Sequence, residues 1–357
     1  MVSGRDWFSS DYLESRRRFR ELAGAAGAEQ EALSLGLRAP DGSDLTIDMA
    51  WFGPRDAERI VVVSSGIHGV EGFMGGAAQL SLLATLPERA DEVALVFLHA
   101  LNPYGFAYVR RVSEDNVDLN RNFLQPHEAY SGHPKGYERM NPLLNPARPL
   151  KRISPPLFVA RAAALMVVMG LDKAKGIIAG GQYDFPHGLF FGGNEKSTSF
   201  KLLEEAAPRW FATAKQLLMI DFHTGLGEPA TYKLLADQSR GSARCGWLER
   251  HFGPEIQPWD DGVAYAIRGG LGTWMQHVLP QAEVDVLAAE FGTVKPLSVI
   301  TALHCENRAH LYGEASSPTY KAAKKRLMET FAPSDPQWRD TVVARGRRIV
   351  EQALAAI

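Results

Sequence analysis

Cysteine is nearly missing: Cys245 and Cys305 are the only two among 357 residues. Two isolated thiols form no CxxC pair and no disulfide framework, so neither cross-links nor a thiolate cage is expected. They are read as reduced thiols of a cytosolic protein, each serving as a small hydrophobe. An excess of charge is missing as well. Lys plus Arg number 39 against 41 Asp plus Glu, a formal net charge of -2, which excludes the strongly basic balance of a nucleic-acid binder. Nor is there a long hydrophobic run. The longest, Val159 to Leu171, is interrupted by Arg161, is too short to span a bilayer, and is expected to be a buried helix. The N-terminal stretch is charged and has no apolar segment of the secretory kind. The sequence also has no Walker phosphate loop, no GxSxG elbow, no repeat and no low-complexity linker.

What is there is an alternation of strands and helices. Asp11 to Ala23 carries an amphipathic helical pattern. Ala32 to Leu37 and Leu45 to Phe52 read as strands joined by a turn at Pro40-Asp41-Gly42. Arg59 to Ser65 is apolar on both faces, the mark of a central strand covered from two sides. A glycine-rich turn from Gly66 to Gly76 leads into a helix ending near Leu86, and Val93 to Leu98 is a further buried strand. Helices are predicted over Leu157 to Met169, Ser199 to Ala214 and Asp340 to Ala355, and strands over Gln216 to Phe222 and Val284 to Phe291. Gln125 to Pro156 and Gly180 to Asn194 read as irregular, so residues 125–194 are expected to form a substrate-shaping insertion. The fold class predicted is α/β: one domain over residues 1–357, with a twisted, mainly parallel mixed sheet and helices on both faces.

Three predicted strand ends carry metal-capable or acidic side chains. His68 and Glu71 follow the strand ending at Ser65, His223 follows the strand from Gln216, and Glu290 ends the late strand. Two imidazoles and one carboxylate leave a fourth position for water, the pattern of catalytic rather than structural zinc. Glu290 is then a candidate general base. Each residue also has a plainer reading. An HxxE pair is common on helix surfaces, His223 would serve as a hydrogen-bonded core histidine, and Glu290 as a solvated loop carboxylate. His99 reads as a packed histidine. His304, Glu306 and His310 read as the solvated face of a helix. His187 and Tyr183, in a glycine-rich stretch, are candidates to line a cleft.

Asn102-Pro-Tyr-Gly105, Arg111 and Val117-Asp-Leu-Asn-Arg-Asn-Phe123, taken in order with His68-x-x-Glu71, His223 and Glu290, resemble the signature of the zinc carboxypeptidase superfamily. The wording GIHGVEGF, DFHTGLG and AEFGT resembles a mainly bacterial branch rather than the digestive enzymes. The resemblance covers roughly Arg59 to Thr293, and residues 125–194 are its least typical part. It implies one zinc per chain on His68, Glu71 and His223, with Glu290 as the catalytic glutamate. It also implies that Asn120 and Arg121 grip a substrate carboxylate, a task for which a planar guanidinium is suited. Arg111 matches the arginine that polarises the scissile carbonyl, with Arg110 adjacent to it. Asp118 matches the acceptor behind the first zinc histidine, and Tyr265 loosely matches a tyrosine that closes over substrate. Gly269, Gly270 and Gly272 leave the side-chain pocket unreadable.

The implied activity is hydrolysis of an amide beside a free carboxylate. A carboxypeptidase acting on small peptides is favoured. An aspartoacylase-like deacylase of N-acyl amino acids is the alternative, and a catalytically silent binding protein of the same fold stands in another class. No nucleic-acid or membrane partner is expected, and the protein is expected to be cytoplasmic.

Overall fold

The computed structural model describes residues 3–153, 155–258 and 267–357. Among them eight strands form one sheet: β1 (Glu29–Arg38), β2 (Asp44–Phe52), β3 (Arg59–Ser65), β4 (Val93–His99), β5 (Gln216–Thr224), β6 (Tyr232–Ala236), β7 (Ile256–Pro258) and β8 (Glu283–Phe291). Their order is β1-β2-β4-β3-β5-β8-β6-β7. The centre, β4-β3-β5-β8, is parallel. β1 and β2 add an antiparallel flank on one side, and β6 pairs antiparallel with β8 on the other. The predicted mixed α/β sheet is therefore what forms.

Strand residues alternate between two apolar layers, because successive side chains leave a strand on opposite faces. Ile60, Val62, Val96 and Met219 join one core, with α7 (Thr198–Trp210) and α9 (Leu271–Val278) packed on it. Val61, Val63, Phe97 and Ile220 join the other. There α1 (Tyr12–Ala25), α2 (Gly72–Ala84), α8 (Ala243–Phe252) and α12 (Pro336–Ala356) cover the sheet. The continuous apolar run of β3 is explained by burial on both faces.

Two glycines bring the first site turn close to its neighbour. The helix α3 (Pro103–Ala107) starts with the Asn102 side chain accepting from the Gly105 amide, with Pro103 in the first turn. A Cβ on Gly69 would lie 2.1 Å from the Gly105 carbonyl carbon, so only two bare backbones fit there. Val70 N then donates to Arg110 O at 2.7 Å and Gly69 N to Arg111 O at 3.1 Å, tying the two segments together.

Several expectations need correction. Residues 125–156 are not simply irregular: α4 (Tyr137–Leu144) forms there, and α6 (Leu171–Ala179) follows α5 (Pro156–Met169). The helix predicted over Leu157 to Met169 exists but is not buried. Val167 and Val168 are 83% and 84% exposed, and only Phe158 and Ala162 are buried. His304 and Glu306 on α10 (Pro296–Tyr312) are buried rather than solvated, and His310 is partly buried. Glu306 is paired with Arg110 at 3.0 Å and with Lys324 of α11 (Pro318–Phe331) at 2.6 Å. His304 Nδ1 donates to Leu144 O at 2.7 Å, and the ring stacks on Phe158. Charge-rich sequence gave no sign that its partners come from distant segments.

His99 is a packed histidine, as expected. It stacks on Phe19 at 4.6 Å and meets the Gln79 side chain at 2.8 Å. Burial, with Arg20 and Arg16 nearby, pushes its pKa down to about 3. It is therefore neutral in the fold, and acidification below the ordinary imidazole range opposes folding as the unfolded chain takes up the proton.

Candidate metal centre and active site

The sheet register brings β5 and β8 side chains together at their carboxyl ends. His223 lies directly opposite Glu290, and Asp221 opposite Ala288. Partners across a ladder share a face, so His223 and Glu290 point the same way. Ser64 on β3 is the partner of Asp221 and donates to its Oδ1 at 2.6 Å. His68 and Glu71 arrive from the turn after β3, where Glu71 closes a short 3-10 turn of Gly69–Glu71.

His68, Glu71 and His223 are all buried, and one ligand atom from each lies within 4.8 Å of the others. The two Nδ1 atoms face each other at 3.3 Å. Glu71 Oε1 is 3.0 Å from His68 Nδ1, and Glu71 Oε2 is 3.3 Å from His223 Nδ1. The opposite ring nitrogens are occupied. His68 Nε2 meets Asp118 Oδ1 at 3.1 Å, and His223 Nε2 meets Asp221 Oδ2 at 2.6 Å. A carboxylate on the far nitrogen holds the ring proton there and leaves Nδ1 as the donor atom toward a cation. Thr224 N donates to Glu71 Oε2 at 2.9 Å, fixing the carboxylate as well. These residues fit a divalent metal.

The electrostatics agree with that fit. Four carboxylates, those of Glu71, Asp118, Asp221 and Glu290, surround the two imidazoles, with Arg111 and Arg121 as the nearby guanidinium groups. Burial alone would lower the His223 pKa, yet Asp221, Glu71 and Glu290 outweigh it and lift the pKa well above the usual imidazole value. The surroundings thus favour positive charge between the rings. Burial would raise the Asp118 carboxyl, but Arg111, His68 and Arg121 hold it well below the carboxylate range. Asp221→Asn is expected to weaken metal binding by roughly 10–100-fold, since the partner behind a ligating histidine is worth that much. Competition titration with a chromophoric chelator measures it, and unchanged affinity would remove Asp221 from the site.

Glu290 stands beside this cluster with its Oε2 buried and, among the described residues, without a hydrogen-bond partner. Burial raises its pKa, His223 opposes the rise and Glu71 adds to it. Arg111 and Arg110 part company. Arg111 Nε donates to Asp118 Oδ2 at 3.0 Å, Nη1 to Glu71 Oε1 at 3.1 Å, and Nη2 lies 2.7 Å from His68 Nε2. Arg110 is fully buried and turned away, onto Glu306, Asn116 and Asn307. Arg111 is the one that faces the site.

A cleft of about 420 Å³ opens over these groups, lined by His68, His223, Glu290, Arg111, Asn120 and Arg121 among others. Asn120 Oδ1 accepts from Leu271 N at 3.1 Å, which seats the start of α9 against it. Arg121 donates through Nε and Nη2 to Ala179 O, at 3.0 and 2.6 Å, and through Nη1 to Asn120 O at 2.7 Å. Gly269, with a φ of +71°, lies so close that a Cβ would come within 2.3 Å of Arg121 O. Gly270 and Gly272 line the cleft itself. Asp237, which the sequence did not single out, faces the same cleft, with Thr273 Oγ1 at 3.4 Å from its Oδ2. Burial raises its carboxyl pKa, partly offset by Thr273.

Tyr265 lies outside the described residues. Tyr183 and His187 do not line the cleft. Tyr183 donates to Arg121 O at 2.7 Å from behind, and exposed His187 sits near Tyr312. Phe190 was also unforeseen. Its φ of +56° is unusual for an aromatic residue and costs about 1–3 kcal/mol, and its ring lies 5.2 Å below the Arg111 guanidinium.

Solved structures with a similar course of chain include carboxypeptidase A from Helicoverpa armigera, at 12% identity and a TM-score of 0.45, covering 89% of this chain and 73% of that one. Bovine thrombin-activatable fibrinolysis inhibitor is 10% identical with a TM-score of 0.45, over 96% and 99%. Murein-tripeptide amidase from Escherichia coli O157 is 17% identical with a TM-score of 0.39, over 88% and 97%. No curated protein matches. The family model described as "Protein of unknown function (DUF2817)" matches residues 8–345, and the chain belongs to that family.

Proposed function

We propose that this protein is a zinc-dependent hydrolase that cleaves an amide beside a free carboxylate, acting as a carboxypeptidase on small peptides. The observation that carries the reading is Glu290: a buried carboxylate oxygen without a partner among the described residues, set opposite His223 and beside a His–Glu–His cluster. Leaving such an oxygen unpaired costs about 1–3 kcal/mol or more, which is explained if it works on a proton in the reaction.

His68, Glu71 and His223 would hold the zinc. Zinc, when bound, supplies Lewis acidity that makes a water acidic near neutral pH and polarises a carbonyl. Glu290 accepts a proton from the water as its oxygen attacks the carbonyl carbon. Arg111, held on Asp118 through Nε, stabilises the negative charge that develops on the carbonyl oxygen. Glu290 then delivers the proton to the amide nitrogen, the C–N bond breaks, and an acid and an amine leave. Asn120 and Arg121 hold the carboxylate of the leaving amino acid and so set the carbonyl in place.

Arg121→Ala tests the substrate side. A charged hydrogen bond is worth about 1.5–3 kcal/mol, so the variant is expected to lose roughly 10–100-fold in kcat/KM on free-carboxylate substrates, mainly through KM. Amidating the carboxylate should cost wild type a similar factor and the variant little more, because both changes remove one interaction. Additive losses would separate Arg121 from that carboxylate and replace this reading with a simple amidase. Since Ala179 O and Asn120 O hold the guanidinium, Arg121→Lys tests whether geometry or charge alone matters: lysine presents no planar fork and is expected to recover little.

A further inference from the structure

A second cavity opens on the other side of Glu290 and Arg111. It has a volume of about 110 Å³ and shares Arg111, Leu226 and Glu290 with the larger cleft. Asn120, Arg121 and Asp237 belong to the large cleft alone. The walls of the small one come from elsewhere: Met166 of α5, Ile178 of α6, Val299 and Leu303 of α10, Phe331 at the end of α11, and Phe190. Lys175 is its one other charged side chain among the described residues, 4.0 Å from Asp172. The two cavities therefore differ in chemistry and meet at the proposed reacting groups.

Resting on the reading above, we propose that the small cavity takes the acyl half of the substrate, and that this half is a short aliphatic group. If the carboxylate of the leaving amino acid lies with Asn120 and Arg121, the chain on the other side of the carbonyl must leave across Arg111 and Glu290, where this cavity begins. Its size argues for a short group, since an apolar cavity of roughly 150 Å³ holds a benzene and this one is smaller. The left-handed backbone of Phe190 keeps an aromatic wall beside Arg111. Met166, Ile178 and Phe190 come from within residues 125–194, so this segment lines the acyl side, while on the carboxylate side it acts from behind, through Ala179 O and Tyr183 on Arg121. A short acyl chain and the aliphatic side chain of a penultimate residue share this chemistry.

The test is a substrate series on zinc-loaded wild type and Val299→Phe. Lysine, leucine and glutamate each serve as the leaving residue, and the acyl group is acetyl, isovaleryl, decanoyl, succinyl or N-acetylleucyl. Val299 is only half-buried on the cavity wall, so the larger ring fills space without disturbing the core. Each buried methylene is worth roughly fourfold, so isovaleryl is expected to exceed acetyl by roughly ten- to sixtyfold in kcat/KM. Decanoyl should gain nothing beyond isovaleryl, and succinyl should fall below acetyl. Val299→Phe should erase the isovaleryl gain while leaving acetyl within about threefold. N-acetylleucyl against isovaleryl separates the peptide source from the free acyl chain, and a gain with either bears out the cavity. Turnover that ignores the acyl group, or a variant that lowers all substrates equally, overturns it. If no substrate is cleaved, the hydrolase reading itself falls, and calorimetric titration of isovalerate still decides the cavity. Binding by wild type and not by Val299→Phe retains it, and no binding by wild type overturns it.

Discussion

Glu290→Gln is expected to keep its metal and lose roughly 10²–10⁴-fold in turnover, the usual worth of a positioned general acid–base. The amide fills the same space at the end of β8 but cannot take a proton from water. The three proposed ligands are untouched, because they come from β5 and from the turn after β3. The buried Oε2 has no partner to lose among the described residues, so the fold should tolerate the change better than it would at Asp221 or Asp118. Steady-state kinetics with metal analysis on the same sample checks both halves. A variant with near wild-type turnover would take Glu290 out of the mechanism. A variant that loses metal would show that Glu290 helps hold the ion.

Removing metal from the proposed site is expected to have an effect of comparable size. Lewis-acid assistance is worth several kcal/mol, so a chelated sample should retain less than about 10⁻³ of the activity, and stoichiometric zinc should restore it. Stability should move as well. An ion present at 1,000 times its dissociation constant stabilises the fold by about 4 kcal/mol, which for a chain of this length is several degrees in Tm. The sign follows from the site: carboxylates crowd two imidazoles, and the cation relieves their repulsion. His223→Ala should show the same stability loss without responding to zinc. Full activity in protein verified to be free of divalent metal would end the zinc reading, whatever the geometry of the cluster.

Much of this is legible in the sequence. The β-branched run at Arg59–Ser65 could only be a central strand, and it is one. His68, Glu71, His223 and Glu290 were each placed at a strand end by pattern, and the structure brings all four together. The assignment of Arg111 over Arg110 was open in sequence. Adjacent residues on a turn point in different directions, and only the position of Glu306, 196 residues away, shows which one is anchored elsewhere.

The sequence by itself determined the order of the strands' chemistry: which elements alternate, which residue types end them, and that two histidines and two glutamates recur at such ends. Those are local properties, set by side-chain periodicity and turn composition. Tertiary structure alone decided what depends on distant segments meeting. It set the β5–β8 register that faces His223 with Glu290, the carboxylates behind each imidazole, and the burial of Glu306 against Arg110 and Lys324. It also left Val167 and Val168 of α5 in solvent, although their sequence reads as core. An apolar run records what a helix is able to bury. Whether it does so depends on which surfaces the rest of the chain brings against it.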